Sequence, residues 1–418
     1  MNLSILEGGF SMLFINWTQG SVLTGYALYL GATPFELGLI ASVPLLGQGL
    51  APLVAWLAGR AGRRKALTVA TAVLGRVIWT VAALLPAITP PDSRAGLLIV
   101  TIAISGIFLA GNGALWTAWM GDVVPQEQRG RYFGLRGGVL GIVGMLANLG
   151  AGAFVDAVAA PLSFQVVLFF AIFNGLIASS LLLTHSEPLV TAQRLPLFET
   201  FTVPFKDLNF RRFLIFASYW TFAVLIVAPF VFAYFLEHLK MSYTQIALWS
   251  VIAAVSALVF SPQWGRLADR VGNKPILEIT TVGAGTLLPL TWLLATPGNL
   301  WPIWLSGVVD ALIWGAIGPA QFNLALSSAP RENRISFIAV LSAVTGLTGF
   351  LGGVLSGVLL SGFASFGTAS LLGYQWTPYH WLILVSAVLR TQAWRFLRDL
   401  KEENAWRTRD VLNWKLWR

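Results

Sequence analysis

Gly265-Arg266-Leu267-Ala268-Asp269-Arg270-Val271-Gly272-Asn273-Lys274 is a short polar cassette between two apolar runs, and a partial copy, Gly62-Arg63-Arg64-Lys65, stands roughly 205 residues earlier. A second element repeats at nearly the same spacing, Pro125-Gln126-Glu127-Gln128-Arg129 being answered by Pro330-Arg331-Glu332-Asn333-Arg334. Asn16-Trp17-Thr18 returns as Tyr219-Trp220-Thr221, and Thr33-Pro34-Phe35-Glu36-Leu37 as Ser242-Tyr243-Thr244-Gln245-Ile246. Four ordered matches at nearly constant spacing predict a tandem duplication. In a membrane chain, two related halves with matching basic loops are the signature of a two-lobed secondary transporter.

Composition puts the chain in a membrane. Of 418 residues, 56% are hydrophobic and 11% charged, and the mean hydropathy is +0.73, whereas soluble domains carry roughly 25% charged residues. Charge-free runs cover 8–35, 37–59, 95–121, 137–155, 213–236, 241–265 and 311–330. Each is near or above the roughly 20 residues a helix needs to cross a bilayer. Lipid leaves no partner for open backbone groups, so these runs read as helices.

Twelve spans are predicted, near 8–30, 35–58, 66–88, 95–119, 132–155, 162–183, 212–236, 243–263, 275–296, 301–327, 335–361 and 378–397. The fold class expected is therefore an all-α polytopic membrane protein with twelve transmembrane helices in two pseudo-symmetric six-helix lobes. The lobes are residues 1–183 and 212–398, joined by a central loop, 184–211, and followed by a basic tail, 399–418.

Cations follow the even-numbered spans: Arg60, Arg63, Arg64 and Lys65 after span 2, Arg129 and Arg131 after span 4, and Arg194, Lys206, Arg211 and Arg212 after span 6. Arg266, Arg270 and Lys274 follow span 8, and Arg331 and Arg334 follow span 10. The opposite side holds little beyond Arg94 and Lys240. The positive-inside rule then makes both termini and the central loop cytoplasmic. The net charge of +9 is a topology signal, and no nucleic-acid partner is expected. The tail, with Trp406, Trp414 and Trp417 among its cations, reads either as an interfacial helix on anionic lipid or as a disordered basic segment.

The chain has no cysteine and three scattered histidines, 185, 238 and 380, so no metal site and no cofactor are expected. No basic stretch precedes the first apolar run, which argues against a secretory signal. No acid–histidine cluster, phosphate loop or serine elbow occurs in any connection, so an enzyme is not expected.

The loop from Gly265 to Lys274 resembles the hallmark loop between the second and third helices of each lobe in the major facilitator superfamily: Gly, Leu-Ala-Asp-Arg, Gly and Lys all fall in place. The first copy is degenerate, with Ala55 and Gly59 where the family has its leading glycine and its aspartate. Asp122, Pro125 and Arg129-Gly130-Arg131 look like the family's helix 4–5 connection. The resemblance covers essentially the whole chain. It implies the superfamily fold, a monomer, alternating access, and a substrate site near the midplane lined by helices 1, 4, 7 and 10.

Arg60, Gly62, Arg63, Asp122, Arg129, Gly265, Asp269, Arg270, Gly272, Lys274 and Arg334 form the expected cytoplasmic gating set. Gly265 and Gly272 suit a tight turn or a close approach. Asp269 can accept from a neighbouring helix N-terminus and pair with Arg334, a latch that breaks on inward opening. The plainer alternative is that these cations only fix topology.

Candidate substrate-binding residues are Asn16 and Gln19 on span 1, Asn112, Trp116 and Trp119 on span 4, Tyr219 and Trp220 on span 7, and Asp310, Trp314 and Gln321 on span 10. Polar groups are expensive in lipid, so faces that combine them with tryptophan suit a cavity wall. Helix packing is the competing explanation. Asp310 and Arg76 lie deep in their spans. Asp310 is read as a proton-coupling or substrate group, with a packing role as the alternative. Arg76 is read as structural, tied to helix 4 or to a carbonyl. The glycines of span 5 (137, 138, 141, 144) and span 11 (346, 349, 353, 357) are expected to let helices pack closely.

Departures from subfamily patterns leave the cargo open. Ile107 stands where the family has a helix-4 arginine, span 5 lacks the Gly-Pro pair of drug antiporters, and span 1 lacks the mid-helix acid of many sugar symporters. The expectation is a secondary transporter of a small organic solute in a bacterial inner membrane, with proton-coupled efflux or uptake of amphipathic or sugar-like compounds as its candidate activity. Its partners would be that solute, membrane lipid and a proton. A lipid flippase on the same fold and a non-transporting receptor or chaperone are the alternatives.

Overall fold

Residues 2–50, 53–54, 56, 64–123, 129–185, 197–330, 334–371 and 374–413 are described in the computed structural model of the chain. They are almost wholly helical, the exceptions being turns and one hairpin of Ala369–Leu371 with Tyr374–Trp376, paired antiparallel with Ala369 opposite Trp376. Among the described residues, nine helices are long and apolar enough to cross a membrane. They correspond to spans 3 to 11.

Spans 1 and 12 fall short of that length for local reasons, and much of span 2 beyond Leu50 lies outside the described residues. Span 1 runs Asn2–Trp17 and resumes at Gly20–Tyr29. At the break Thr18 donates to the Phe14 carbonyl at 2.7 Å and Gly20 takes φ +63. Span 2 is helical over Pro34–Gln48, then turns at Gly49. Span 12 runs Pro378–Gln392, with a separate turn at Trp394–Leu397. Span 7 is also irregular: Leu208–Leu225 gives way to a 3-10 turn at Ala228–Phe230 and a π-helical turn at Tyr234–His238. Pro229, with no N–H to give, sits in that transition. The sequence echo between spans 1 and 7 is thus matched by a break in each. In the central connection, part of the expected loop is helical, Leu197–Lys206.

Helix starts explain another echo. Thr33 and Glu36 form a capping box: the Glu36 carboxylate accepts from Thr33 N at 2.8 Å, and Glu36 N donates to Thr33 Oγ1 at 3.3 Å. Ser242 and Gln245 build the same box at the head of span 8, at 2.9 and 3.2 Å. Each box satisfies two of the amides that a helix N-terminus leaves open.

The chain divides into two compact units, Met1–Leu197 with Phe230–Leu248, and Phe198–Pro229 with Trp249–Arg418. The core of the first holds Phe14, Tyr26, Trp79, Leu98 and Trp119, all buried. Some polar atoms inside it are paired across helices, as in Trp79 Nε1 to Ser105 Oγ at 2.8 Å. The second repeats that device, with Trp249 Nε1 donating to Ser306 Oγ at 2.9 Å. The glycine expectation for span 5 is corrected: a methyl group on Gly137, Gly138 or Gly141 would meet nothing within 4 Å, and only Gly144 of the four has a close neighbour, Asn16.

Candidate functional site

In the first unit, charge collects where spans 1, 3, 4 and 5 meet. Glu7 is 3% exposed, in the second turn of a helix that begins at Asn2. Its carboxylate lies 3.6 Å from Nη2 of Arg136, and the same guanidinium covers the Trp116 ring at 4.4 Å. Arg76 is the second electrostatic neighbour of Glu7. It is clamped from two sides, donating to Gly175 O at 2.8 Å, Ser179 Oγ at 2.6 Å and Ser11 Oγ at 2.8 Å. Gly175 makes room for it, since a Cβ there would come within 2.9 Å of Arg76 Cδ. Of the two ties expected for Arg76, helix 4 or a carbonyl, the structure shows a carbonyl, that of Gly175 on span 6.

In the second unit, Asp310 on span 10 is half-buried, and Arg390 on span 12 is 2% exposed. They are electrostatic neighbours without an ion-pair contact, and Trp314, one turn along, directs its indole at the same carboxylate. Arg390 is sparsely held. Nη2 reaches Val224 O at 3.4 Å, and its Nε is buried without a partner. Trp314 packs on Trp220 with ring centroids 5.8 Å apart, and Gln321 leaves its buried Nε2 unpaired.

Several predicted site residues make packing or hydrogen-bond contacts within their own unit. Trp119 is 1% exposed, packed among Ala72, Met120 and Leu182; this corrects its expected place on a cavity wall, because its whole ring is consumed by the lobe core. Asn112 donates to the Thr68 carbonyl at 2.9 Å and so ties span 4 to span 3. Asn16 accepts from Asn148 at 2.9 Å, tying span 1 to span 5. Tyr219 donates to Leu389 O at 3.0 Å and stacks on Phe396 at 4.4 Å. Gln19 is exposed at the break in span 1 and makes no side-chain cap. Glu7, Arg136 and Arg390 were missed. Glu7 falls one residue ahead of the predicted span 8–30, but the helix starts five residues before it, at Asn2.

Of the gating set, Arg60, Gly62 and Arg63 lie outside the described residues, as do the side chains of Asp122 and Arg129. Gly265 lies inside the unbroken helix Tyr243–Val271 with open space around it, so the turn expected there is corrected; it is made by Gly272, at φ +92. Asp269 and Arg270 are exposed, and among the described residues Asp269 and Arg334 form no ion pair. Arg334 instead lines a cleft of about 490 Å³ with Asp207, Asn209, Ser327 and Ser328.

The tail grips the loop after Gly272. Glu402 accepts from the amides of Asn273 at 3.0 Å and Lys274 at 2.7 Å. Lys274 Nζ in turn donates to the carbonyls of Arg398 and Leu400, both at 2.9 Å. Trp406 N donates to Val271 O at 2.9 Å, and Thr408 bonds Glu278. Neither expected form of the tail describes residues 398–411, which strap the head of span 9.

The sequence profile of the Major Facilitator Superfamily matches residues 6–353 and 213–415. The multi-drug resistance efflux pump PmrA of Streptococcus pneumoniae is 32% identical over 147 residues, 34% of this chain and 34% of that protein. The class E tetracycline resistance protein of Escherichia coli is 30% identical over 111 residues, 27% of this chain and 25% of the relative. The chain thus spans about a third or less of the length of these curated relatives. Among solved structures, the D-xylose-proton symporter superposes with a TM-score of 0.70 at 16% identity, covering 96% of this chain and 97% of that one. The nucleoside transporter NupG gives 0.70 at 16% identity, covering 96% and 100%. At such identities the likeness speaks for the fold.

Proposed function

The chain belongs to the Major Facilitator Superfamily, and from that premise we propose that it is a secondary active transporter that moves a small organic solute by alternating access. The observation that carries the proposal is the pair of charge couples, buried Glu7 with Arg136 and Arg76, and half-buried Asp310 with Arg390. Ionisable groups at membrane depth are costly and mark ion or substrate pathways. Asp310 is the coupling group, because a carboxylate beside a single under-bonded arginine changes protonation with little rebuilding around it. Trp116 flanks the couple of the first unit and Trp314 that of the second, and such aromatic surface suits an amphipathic or ring-bearing molecule. The functions of the similar proteins, multi-drug efflux and tetracycline resistance, favour outward movement of such compounds.

The cation distribution supports a plasma-membrane orientation with both termini cytoplasmic, and the transporter works as a monomer surrounded by lipid. Asp269 and Arg334, apart here, are the pair that closes in the opposite conformation.

Reconstitution into proteoliposomes with an imposed pH gradient tests this. Tetracycline, an aromatic cationic dye, a nucleoside and a pentose would be offered in turn. Gradient-dependent movement of one class, lost in Asp310→Asn, is expected. Transport that continues unchanged without a gradient and in Asp310→Asn would end the coupling assignment, and no movement of any class would end the solute-transport reading.

A further inference from the structure

The two capping boxes are alike, but the amides beside them are not. After Thr33, the first helical residue of span 2 is Pro34, which has no N–H. After Ser242, span 8 begins with Tyr243 and Thr244, so two further amides need acceptors. Asp156, at the end of span 5, supplies both: Oδ1 accepts from Tyr243 N at 2.9 Å and Oδ2 from Thr244 N at 2.8 Å. The hydroxyls of Ser242 and Thr244 are directed at the same carboxylate. Tyr243 is held on its other sides too. Its ring lies edge-on to Phe164 at 6.0 Å, and its carbonyl approaches Gly152 so closely that a Cβ there would be 2.8 Å away.

A carboxylate from the first repeat therefore caps a helix of the second, and residues Phe230–Leu248 are counted in the first compact unit. Anion and helix N-terminus attract, and both hydrogen bonds are charge-assisted. The contact is nonetheless reversible by construction. Asp156 is exposed, so water can take over the carboxylate when the amides leave, and no buried charge is stranded. It is also one-sided. Span 11, the counterpart of span 5, has no acidic residue from 335 to 371, and its would-be partner, span 2, starts with Pro34.

We propose that Asp156 is a releasable latch on the face opposite the termini, holding the head of span 8 against the first repeat and letting go each time that face opens. The proposal rests on the transport reading above. It assigns the work of closing that face to one carboxylate and one helix N-terminus, with no mirror-image partner.

The chain has no cysteine, so spin labels can be placed without background. One pair, Ala159 with Asn299, reports on this face and a second, Thr184 with Ser327, on the other; distances are measured by double electron–electron resonance in lipid nanodiscs. Asp156→Asn should raise the long-distance fraction of the first pair about threefold or more, the scale of losing a helix cap. Tyr243→Pro, which deletes one donor as Pro34 does in span 2, should act in the same direction and carries the test if Asp156→Asn folds poorly. Tyr243→Phe, which keeps the amide, should leave the distribution alone. Two distances in the wild type with no change in either Asp156→Asn or Tyr243→Pro would overturn the latch and leave transport standing. A single distance at both faces under every ligand and pH gradient would overturn the transport reading and the latch with it.

Discussion

Each repeat buries an acid and arginine from different helices, and the two couples are held very differently. In the first unit Glu7 has two cations, one at 3.6 Å and lying over Trp116, the other fixed by three hydrogen bonds to spans 1 and 6. In the second unit Asp310 has Arg390 as its cation, and that arginine reaches one carbonyl at 3.4 Å, its Nε unpaired as that of Arg76 also is. A buried charge held by many bonds is rigid, because moving it strands several partners together. One held by few can change partner or protonation at modest cost. The difference teaches that near-identical chemistry is built into a rivet in one repeat and left lightly held in the other, which is why the second couple is the one proposed to move.

The largest effect should come from pulling the rivet. Arg76→Ala is expected to destabilise the folded protein by about 3–5 kcal/mol, the usual penalty for breaking a buried charge network. Equilibrium unfolding in mixed micelles would measure it. Arg390→Ala should cost clearly less, because Asp310 can be neutralised by a proton once its partner has gone. Equal costs would erase the distinction between the units. Next in size is Asp310→Asn, expected to lower gradient-driven transport at least about tenfold, roughly 1.4 kcal/mol in barrier, while the melting temperature stays close to wild type. Glu7→Gln should show the reverse emphasis, with a visible loss of stability. A stable but inactive Glu7→Gln would move the coupling role to the first repeat.

Duplication, membrane embedding and helix order were legible because each is written in many residues at once: charge-free runs, basic loops and four spaced echoes. The echo of Thr33–Leu37 in Ser242–Ile246 was visible too, though only the structure shows that both stretches are capping boxes. What escaped was whatever depends on two distant segments. Asp156 has no sequence feature that pairs it with residue 243, and Arg390 is silent until span 12 is placed beside span 10. Trp119 misled for the opposite reason. Its helical arc with Asn112 and Trp116 is real, but an arc says which side a residue faces and not what fills that side, which here is Ala72 and Leu182. Glu7 was lost to a boundary, a shift of a few residues turning a flanking charge into a buried one.

The loop at Gly272 extends the contrast beyond the charge couples. The loop at Gly272 is held by Glu402, whose two oxygens cap the head of span 9. Glu402→Gln keeps the shape and removes the charge, so it should cost about 1 kcal/mol, in line with a helix-cap carboxylate. Hydrogen exchange should then speed up at the Asn273 and Lys274 amides while the heads of the other helices stay protected. Uniform loosening of the second unit would mean that the tail is an integral part of its core rather than a local strap.

The smallest effect belongs to His185, beside Trp119 in the first unit and outside the membrane spans. It is 8% exposed, and burial holds its imidazole below the ordinary histidine range, with the Lys65 charge pushing the same way. The unfolded chain then binds this proton more readily than the folded one. The stability tied to neutral His185 is complete above pH about 6.5 and declines as pH falls through that value toward the lower folded-state value. His185→Gln should flatten the unit's thermal stability between about pH 5 and 7. A profile that keeps its slope in the variant would assign the acid sensitivity elsewhere, with the carboxylates of the tail strap the next groups to replace, and would leave acid sensitivity a property of the second unit rather than the first.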